Sequence, residues 1–278
     1  MLFNAEDAES AEEKGKNFSI NFNYIEELQK RIEMNNDSEL KPKMQVRQLG
    51  RTGLMVSCIG LGGMGVISQT HPDRESAGKI IHTALDREVN FIDTARGYFD
   101  SEEVIGEVLR DRRDETYIAT KTYQRSAKRA GKEIEKSLEK LQVKKIDLYQ
   151  IHHLQYLKEF EKIKSPGGAL EALRYYQKQG CIDFIGVSSH NPKILPEVLE
   201  SDIFDTVQFP FSAIEREHYD NIKDVVKRRN IGTIIMKPLA GGNLKSVKAS
   251  LDFLLSHDVS TVIPGCSTVE QVMLDTVV

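Results

Sequence analysis

The segment TYIATKTYQRSAKRAGKEIEKSLEKLQVKKIDLYQIHH, residues 116–153, contains two short apolar and β-branched runs on either side of a longer polar stretch. TYIATKT at 116–122 and IDLYQIHH at 146–153 are predicted to be buried strands. Between them, residues 127–141 show the apolar spacing of an amphipathic helix. A strand, a helix and a second strand in this order form a βαβ unit, in which the two strands run parallel.

The same alternation continues on both sides of this segment and predicts eight βα units. The other predicted strands are SCIGLG at 57–62, NFIDTA at 90–95, DFIGVSS at 183–189, DTVQFPF at 205–211, GTIIMKP at 232–238 and STVIPGC at 260–266. Further helices are predicted over 77–88, 101–110, 168–179 and 217–229. Eight such units predict the α/β class and a (β/α)8 TIM barrel, a fold of roughly 250 residues.

Two segments precede the first predicted barrel strand. QVRQLGRTGLMVS at 45–57 has turn residues at Gly50 and Gly53 between apolar stretches, which predicts a β-hairpin that plugs the bottom of the barrel. Residues 1–43 are predicted to be an N-terminal extension that opens on an acidic stretch. Apolar residues at helical spacing within 24–32 predict a short amphipathic helix in it. The barrel domain is predicted to span 44–278.

Composition favours a globular protein that binds small molecules. The chain has 278 residues, 40% hydrophobic and 29% charged, and a net charge of −4, so nucleic acid and anionic membranes are not expected as partners. Cys58, Cys181 and Cys266 are too few and too widely spaced for a disulfide framework or a metal site, and reduced thiols are expected. With no long apolar run and an acidic N-terminus, a cytoplasmic location is expected.

Four polar residues lie where predicted strands 2 to 4 end, at the face where barrels carry their active sites. These are Asp93, Tyr98, Lys121 and His152. Taken singly, each has an ordinary structural role: Asp93 as a helix cap, Lys121 as a solvated strand end, His152 as a core imidazole. Taken together, Asp93 and Lys121 come from adjacent strands, where a buried charge needs an opposite partner. We therefore expect them to pair.

Such a pair has a consequence for the tyrosine beside it. An ammonium group next to a phenol favours the phenolate, so Lys121 is expected to lower the pKa of Tyr98 from about 10. Tyr98 would then serve as a proton donor near neutral pH, with His152 orienting the oxygen that accepts the proton.

Longer motifs carry a resemblance to a known family. FIDTARGY at 91–98, IATK at 118–121 and IDLYQIHH at 146–153 resemble those of the aldo-keto reductases. The likeness extends from LGRTGLMVSCIGLGGMGV at 49–66 through IGVSSHN at 185–191 to VIPGCSTVEQV at 262–272. The resemblance implies an NAD(P)H-dependent reduction of aldehydes or ketones to alcohols. It also implies that Asp93, Tyr98, Lys121 and His152 are the catalytic tetrad, with Tyr98 as general acid.

The resemblance also implies where the cofactor binds. Ser188 and Gln208 match residues that meet the nicotinamide carboxamide, whereas Ser189 stands where the family more often has asparagine. Met236 stands in place of a stacking tyrosine and packs either on the nicotinamide or in the core. The full set of implied contacts is Gly62, Gly63, Met64, Ser188, Ser189, Gln208, Met236, Lys237, Gly265, Ser267, Thr268 and Gln271.

The expected cofactor is NADPH, with NADH as the alternative. GCSTVEQVMLD at 265–275 contains no Lys or Arg to meet a 2′-phosphate, and an acidic residue near the ribose suits NADH better. No GxGxxG motif follows a predicted strand, so a Rossmann site is not expected. A metal site is not expected either.

Three points stay open at the level of sequence. Relatives usually continue into a C-terminal segment that closes over the substrate pocket, and because the sequence stops at Val278 that lid segment is expected to be missing here. A non-catalytic nucleotide-binding subunit is one alternative function, although an intact tetrad argues against it. A Schiff-base enzyme with Lys121 as nucleophile is another, although Asp93 would keep that lysine protonated.

Overall fold

The computed structural model describes residues 43–66 and 73–277 of the chain. It begins with an antiparallel hairpin of two strands, β1 (Val46–Gln48) and β2 (Met55–Ser57). The predicted N-terminal helix within 24–32 lies outside the described residues, so the N-terminal extension stays a prediction.

Eight parallel strands follow the hairpin and confirm the predicted barrel. They are β3 (Leu61–Gly62), β4 (Phe91–Asp93), β5 (Tyr117–Thr122), β6 (Ile146–Ile151), β7 (Ile182–Ser188), β8 (Thr206–Pro210), β9 (Gly232–Met236) and β10 (Thr261–Val262). Each strand pairs with the next one along the chain. The first and last strands also meet, because Gly60 N donates to Val262 O at 2.8 Å and Gly62 N to Pro264 O at 2.9 Å.

Helices connect the strands on the outside of the sheet. They are α1 (Gly63–Val66), α2 (Arg74–Asp86), α3 (Ser101–Val108), α4 (Ala127–Lys140), α5 (Leu157–Lys164), α6 (Ala169–Lys178), α7 (Leu195–Glu200), α8 (Glu217–Arg229), α9 (Val247–Leu255) and α10 (Val269–Asp275). The buried side chains of α4, Ala130, Ile134 and Ser137, recur every three or four residues and form one face of the helix. The remaining positions of α4 are mostly exposed or half-buried lysines and glutamates, which explains why this segment was recognisable in the sequence.

The lower half of the barrel is filled by an apolar cluster. Its buried members are Leu49, Val56, Phe91, Ala119, Leu148, Ile234 and Ile263. Leu49 and Val56 come from the hairpin, which confirms the predicted plug. Close packing fixes the hairpin tip: a Cβ on Gly50 would lie 2.2 Å from Gly232 N, and Gly50 itself has a φ of +50°.

The structure differs from the sequence prediction at the first barrel strand. The run 57–62 was predicted to be one strand, but Ser57 pairs with the hairpin and only Leu61 and Gly62 form β3. Asn90 accounts for the division, because its side-chain oxygen accepts from Ser57 N at 2.6 Å and its amide donates to Met55 O. The backbone at Ser57 therefore belongs to the hairpin and not to the first barrel strand.

Candidate active site

The four predicted catalytic residues lie at the carboxyl ends of neighbouring strands. Asp93 is the last residue of β4, Lys121 is the second-to-last residue of β5, and His152 directly follows β6. Tyr98 lies in the loop between β4 and α3. Because the strands are parallel and adjacent, all four side chains belong to one end of the barrel.

Asp93 and Lys121 form the predicted ion pair. Lys121 Nζ donates to Asp93 Oδ2 at 2.6 Å and to Thr94 O at 2.8 Å, and both charged side chains are buried. Burial alone would lower the pKa of Lys121, but the charge of Asp93, the hydrogen bond to it and the nearby tyrosines together outweigh that effect, and the pKa is raised. Lys121 is therefore held as an ammonium ion, which is unsuitable for a Schiff-base nucleophile.

Two glutamines complete the surroundings of Asp93. Gln150 Nε2 donates to Asp93 Oδ1 and Gln208 Nε2 donates to Asp93 Oδ2, each at 3.1 Å. Sequence reasoning missed Gln150, although it is a polar residue inside the otherwise apolar run IDLYQI and pairs in register with Lys121. Three donors to one buried carboxylate hold its charge and its orientation.

Tyr98 and His152 lie next to the ion pair. Their rings meet edge to face with centroids 5.6 Å apart, and Lys121 Nζ lies 5.1 Å from the centroid of Tyr98. The expected lowering of the pKa of Tyr98 is not found. Burial raises this pKa above 10, and Lys121 offsets that effect only in part while Asp93 adds to it. Tyr98 thus keeps its proton throughout the neutral range.

His152 is a neutral imidazole. Burial lowers its pKa to about 2, and the nearby charge of Lys121 acts in the same direction. Its Nδ1 is buried without a hydrogen-bond partner among the described residues. Tyr123 stacks on the ring of His152, with centroids 4.0 Å apart. A neutral histidine retains one N–H donor, which is what polarisation of a carbonyl oxygen requires.

The candidate nicotinamide contacts differ in whether their polar atoms already have hydrogen-bond partners within the protein. Gln208 Oε1 is buried and has no partner among the described residues, so it can accept from an amide N–H. Ser188 Oγ accepts from His153 N at 2.9 Å and keeps its own hydrogen available. Ser189 is fully buried, and its hydroxyl donates to Leu154 O at 2.6 Å and accepts from Asn191 N at 2.9 Å. The hydroxyl of Ser189 is therefore already engaged in hydrogen bonds to the neighbouring loops.

The ends of β3 and β9 hold a second group of candidate contacts. Gly62 and Gly63 are required by packing: a Cβ would lie 2.9 Å from Pro264 O and from Asp93 O, respectively. Met64 is 60% exposed. Met236 is half-buried and packs against the apolar cluster of the barrel, which supports the core role that the sequence left open. Lys237 follows in a left-handed conformation, with φ of +55°.

The loop before α10 holds the last group. Gly265 forms a bridge with Gly62, at the junction of the first and last strands. Gln271 Oε1 accepts from Ser267 N at 2.7 Å, and Thr268 Oγ1 accepts from Gln271 N at 3.3 Å. These bonds cap the first turn of α10 and order the loop that precedes it.

Other groups of the described region do not suggest a different site. None of its helices is long and apolar enough to cross a membrane. Within residues 43–66 and 73–277, no group of three or more His, Cys, Asp or Glu is placed to hold a metal ion. Cys58, Cys181 and Cys266 are free thiols.

The structure therefore combines a closed parallel barrel with a buried carboxylate–lysine pair, and a tyrosine and a histidine lie beside that pair. Both features agree with the resemblance to the aldo-keto reductases. The model of the aldo/keto reductase family matches residues 58–252, about 70% of the chain. The chain belongs to this family, as its motifs predicted.

Individual relatives agree with this assignment. The aldo-keto reductase YhdN of Bacillus subtilis is 30% identical over 217 residues, covering 72% of this chain and 64% of YhdN. The 6-dehydroglucose reductase of Novosphingobium aromaticivorans is 29% identical over 246 residues, covering 81% and 79%. The crystal structure of PA4992, a putative aldo-keto reductase from Pseudomonas aeruginosa, superposes with a TM-score of 0.76 at 25% identity, covering 86% and 96%. The chain thus spans somewhat less than two thirds of the length of YhdN.

Proposed function

We propose that this chain catalyses the NAD(P)H-dependent reduction of an aldehyde or ketone to an alcohol, with Tyr98 as the general acid. The observation that carries the proposal is the buried Lys121–Asp93 pair, 2.6 Å apart, beside the rings of Tyr98 and His152. A buried ion pair of this kind costs desolvation energy, and its place at the active-site end of a barrel supports a role in chemistry.

The residues present fit a nicotinamide cofactor. The unpartnered Oε1 of Gln208 and the free hydroxyl hydrogen of Ser188 together offer an acceptor and a donor, which suits a primary carboxamide. Lys237, Ser267 and the N-terminus of α10 are the groups proposed to meet the phosphates. NADPH is the proposed cofactor, with NADH as the alternative.

Each residue of the tetrad has a distinct proposed role. Reduced nicotinamide, when bound, supplies the hydride that the carbonyl carbon receives. Tyr98 donates its proton to the carbonyl oxygen, and the neutral His152 donates a hydrogen bond to the same oxygen. The ammonium of Lys121 stabilises the phenolate that Tyr98 becomes, and Asp93 holds that ammonium in place.

A raised pKa of Tyr98 is compatible with this role in the reducing direction. The acid form is required at the start of each turnover, and a phenol with a pKa above 10 is fully protonated at neutral pH. The price is a weaker acid, which the adjacent Lys121 offsets by favouring the phenolate once the proton has left.

A non-catalytic nucleotide-binding subunit is the alternative function. It would bind reduced cofactor without consuming it. Intact Asp93, Lys121 and the two glutamines around Asp93 favour the enzyme, since a binding module needs no buried lysine beside a tyrosine. A panel of aryl, aliphatic and sugar aldehydes distinguishes the two functions by turnover. Sugar aldehydes belong in it because one relative is a 6-dehydroglucose reductase.

The decisive test is Tyr98→Phe. Phenylalanine preserves the ring but cannot donate a proton, so the rate should fall about 10²-fold to 10⁴-fold while cofactor affinity and folding change little. Tyr175→Phe is the matched control, because Tyr175 is an exposed tyrosine on α6 and should keep the parent rate. Stopped-flow oxidation of reduced cofactor measures the rate, and fluorescence titration measures the affinity for the cofactor. If Tyr98→Phe reduced aldehydes at the parent rate, Tyr98 would not be the general acid.

A further inference from the structure

Arg125 lies in the loop between β5 and α4, outside the tetrad, and its side chain is mostly buried at 12% exposure. Its guanidinium donates to three backbone carbonyl oxygens. Nη1 bonds to Tyr123 O at 3.0 Å, and Nη2 bonds to His152 O at 2.9 Å and to His153 O at 3.0 Å. One side chain therefore ties the loop after β5 to the end of β6.

Two of the three residues whose backbones it holds are the partners of one ring stack. Tyr123 and His152 face each other with centroids 4.0 Å apart and an interplanar angle of 25°. The His152 ring also meets Tyr98, edge to face, with centroids 5.6 Å apart. The position of His152 relative to Tyr98 therefore depends on how the backbones of Tyr123 and His152 are spaced, and Arg125 bonds to both.

The turn that Arg125 holds is also strained. His153 has a φ of +54°, a left-handed conformation that non-glycine residues adopt rarely. Such a conformation is unfavourable for a residue with a side chain and persists only when surrounding contacts fix it. Here the contacts are the bond from Arg125 to His153 O and the bond from His153 N to Ser188 Oγ. The strain falls one residue after His152, where the chain leaves the strand.

We infer that Arg125 is a positioning residue for carbonyl reduction: by holding the carbonyls of Tyr123, His152 and His153, it fixes the His152 ring in contact with Tyr123 and Tyr98. This inference rests on the proposed function for its kinetic consequence, while the placement of His152 can be measured without activity. The planar fork of arginine offers several donors at fixed angles, and a lysine ammonium on a flexible stem cannot reproduce that arrangement.

The chain provides a matched control. Arg47, in β1, also donates to three backbone carbonyls, with Nη1 to His257 O at 3.2 Å and Val259 O at 2.8 Å and Nη2 to Leu255 O at 2.7 Å. It ties the plug hairpin to the segment between α9 and β10, which lies at the opposite end of the barrel. Arg125→Met and Arg47→Met therefore remove the same number of backbone contacts of the same kind.

The kinetic test compares Arg125→Met, Arg125→Lys and Arg47→Met with the parent protein. Misplacement by about 1 Å can cost 10²-fold in rate, so kcat with an aldehyde should fall by roughly 10-fold to 100-fold in Arg125→Met, and by less in Arg125→Lys. Arg47→Met should keep the parent kcat even where its melting temperature falls. A deuterium isotope effect with cofactor labelled at the transferred hydride should grow in Arg125→Met, because the chemical step becomes slower.

The spectroscopic test uses protein with labelled histidine. The stacked ring of Tyr123 displaces the NMR resonances of the His152 ring by its ring current, and His152→Gln assigns them. Arg125→Met should move these resonances, whereas Arg47→Met should leave them in place.

Unmoved resonances with parent kcat in both Arg125 variants would overturn the inference. So would an equal loss of kcat in Arg47→Met, since that would reflect stability alone. Absence of turnover in the parent protein would instead count against the proposed function, and the resonances of His152 would still decide the role of Arg125.

Discussion

Replacing Lys121 by Met removes one member of a buried ion pair and keeps nearly the same side-chain length. Breaking a buried pair costs about 3–5 kcal/mol, because the remaining charge stays desolvated. Asp93 would keep the amide donors of Gln150 and Gln208, each at 3.1 Å. The cost of leaving its charge without the lysine should therefore lie near the lower limit, about 3 kcal/mol. The lost bond from Lys121 to Thr94 O adds about 1 kcal/mol. The free energy of unfolding should therefore fall by about 4 kcal/mol.

A double variant separates the buried charge from other effects. In Lys121→Met with Asp93→Asn the carboxylate becomes a neutral amide, so at least about 2 kcal/mol of the loss should return. Urea unfolding followed by far-UV circular dichroism measures both variants, with the comparison made at unchanged m value. Carbonyl reduction should stay low in both, because neither restores an ammonium beside Tyr98. Lys121→Met within about 1 kcal/mol of the parent, or a double variant less stable than the single one, would refute the reasoning.

Three further predictions concern pH and packing. Because the pKa of Tyr98 is raised and that of His152 is about 2, kcat for reduction should be flat from about pH 5 to about pH 9 and fall only as pH rises past 10; a fall near neutral pH would show that Lys121 lowers the tyrosine pKa after all. Burial raises the pKa of Asp275 from 3.8 to about 6, so the folded state holds this proton more tightly and loses stability as pH rises through that window. Asp275→Asn should therefore gain about 3 kcal/mol relative to the parent between pH 4 and pH 8 in urea titrations, and a constant difference would contradict this. Gly106→Ala, usually stabilising within a helix, should instead cost about 1–3 kcal/mol, since a Cβ would lie 2.5 Å from Lys140 O; a raised melting temperature would count against that packing.

The sequence predicted the elements whose local pattern is strong. The helix predicted over 217–229 is α8 with the same bounds, where three basic residues and Asn230 in the left-handed region close it. The strands β5 and β6 and the helix between them lie within two residues of their predicted limits. No bounds were predicted for α1, α5, α7, α9 and α10, because each is nine residues or shorter and a short segment shows too few turns for a helical period to stand out.

The candidate tetrad could also be selected from sequence, and its catalytic role stays a prediction. The rule that parallel strands present their carboxyl ends at one face brings Asp93, Lys121 and His152 together, and the family motifs select them from other polar residues. Opposite charges on adjacent buried strands must pair, so the bond between Lys121 and Asp93 followed from electrostatics.

The electrostatic state of the site depended on tertiary structure. Sequence reasoning considered only the charge of Lys121 and expected a lowered pKa for Tyr98. In the folded chain the ammonium of Lys121 donates hydrogen bonds to Asp93 and to Thr94 O. The burial of the Tyr98 phenol raises its pKa by more than the charge of Lys121 lowers it. A pKa sums burial and all nearby charges, and burial is not written in any local pattern.

The contacts that hold the site likewise appeared only in three dimensions. Gln150 reaches Asp93 across 57 positions of the chain, and Arg125 reaches His152 across 27. Gln150 lies within the motif IDLYQIHH, but the motif does not indicate its role, and Arg125 belongs to none of the motifs. Sequence alone determined which elements form and which charges must meet, because periodicity and charge pairing are local or pairwise rules. Tertiary structure decided which side chains support the tetrad, because that depends on the strand register and loop paths that closing the barrel fixes.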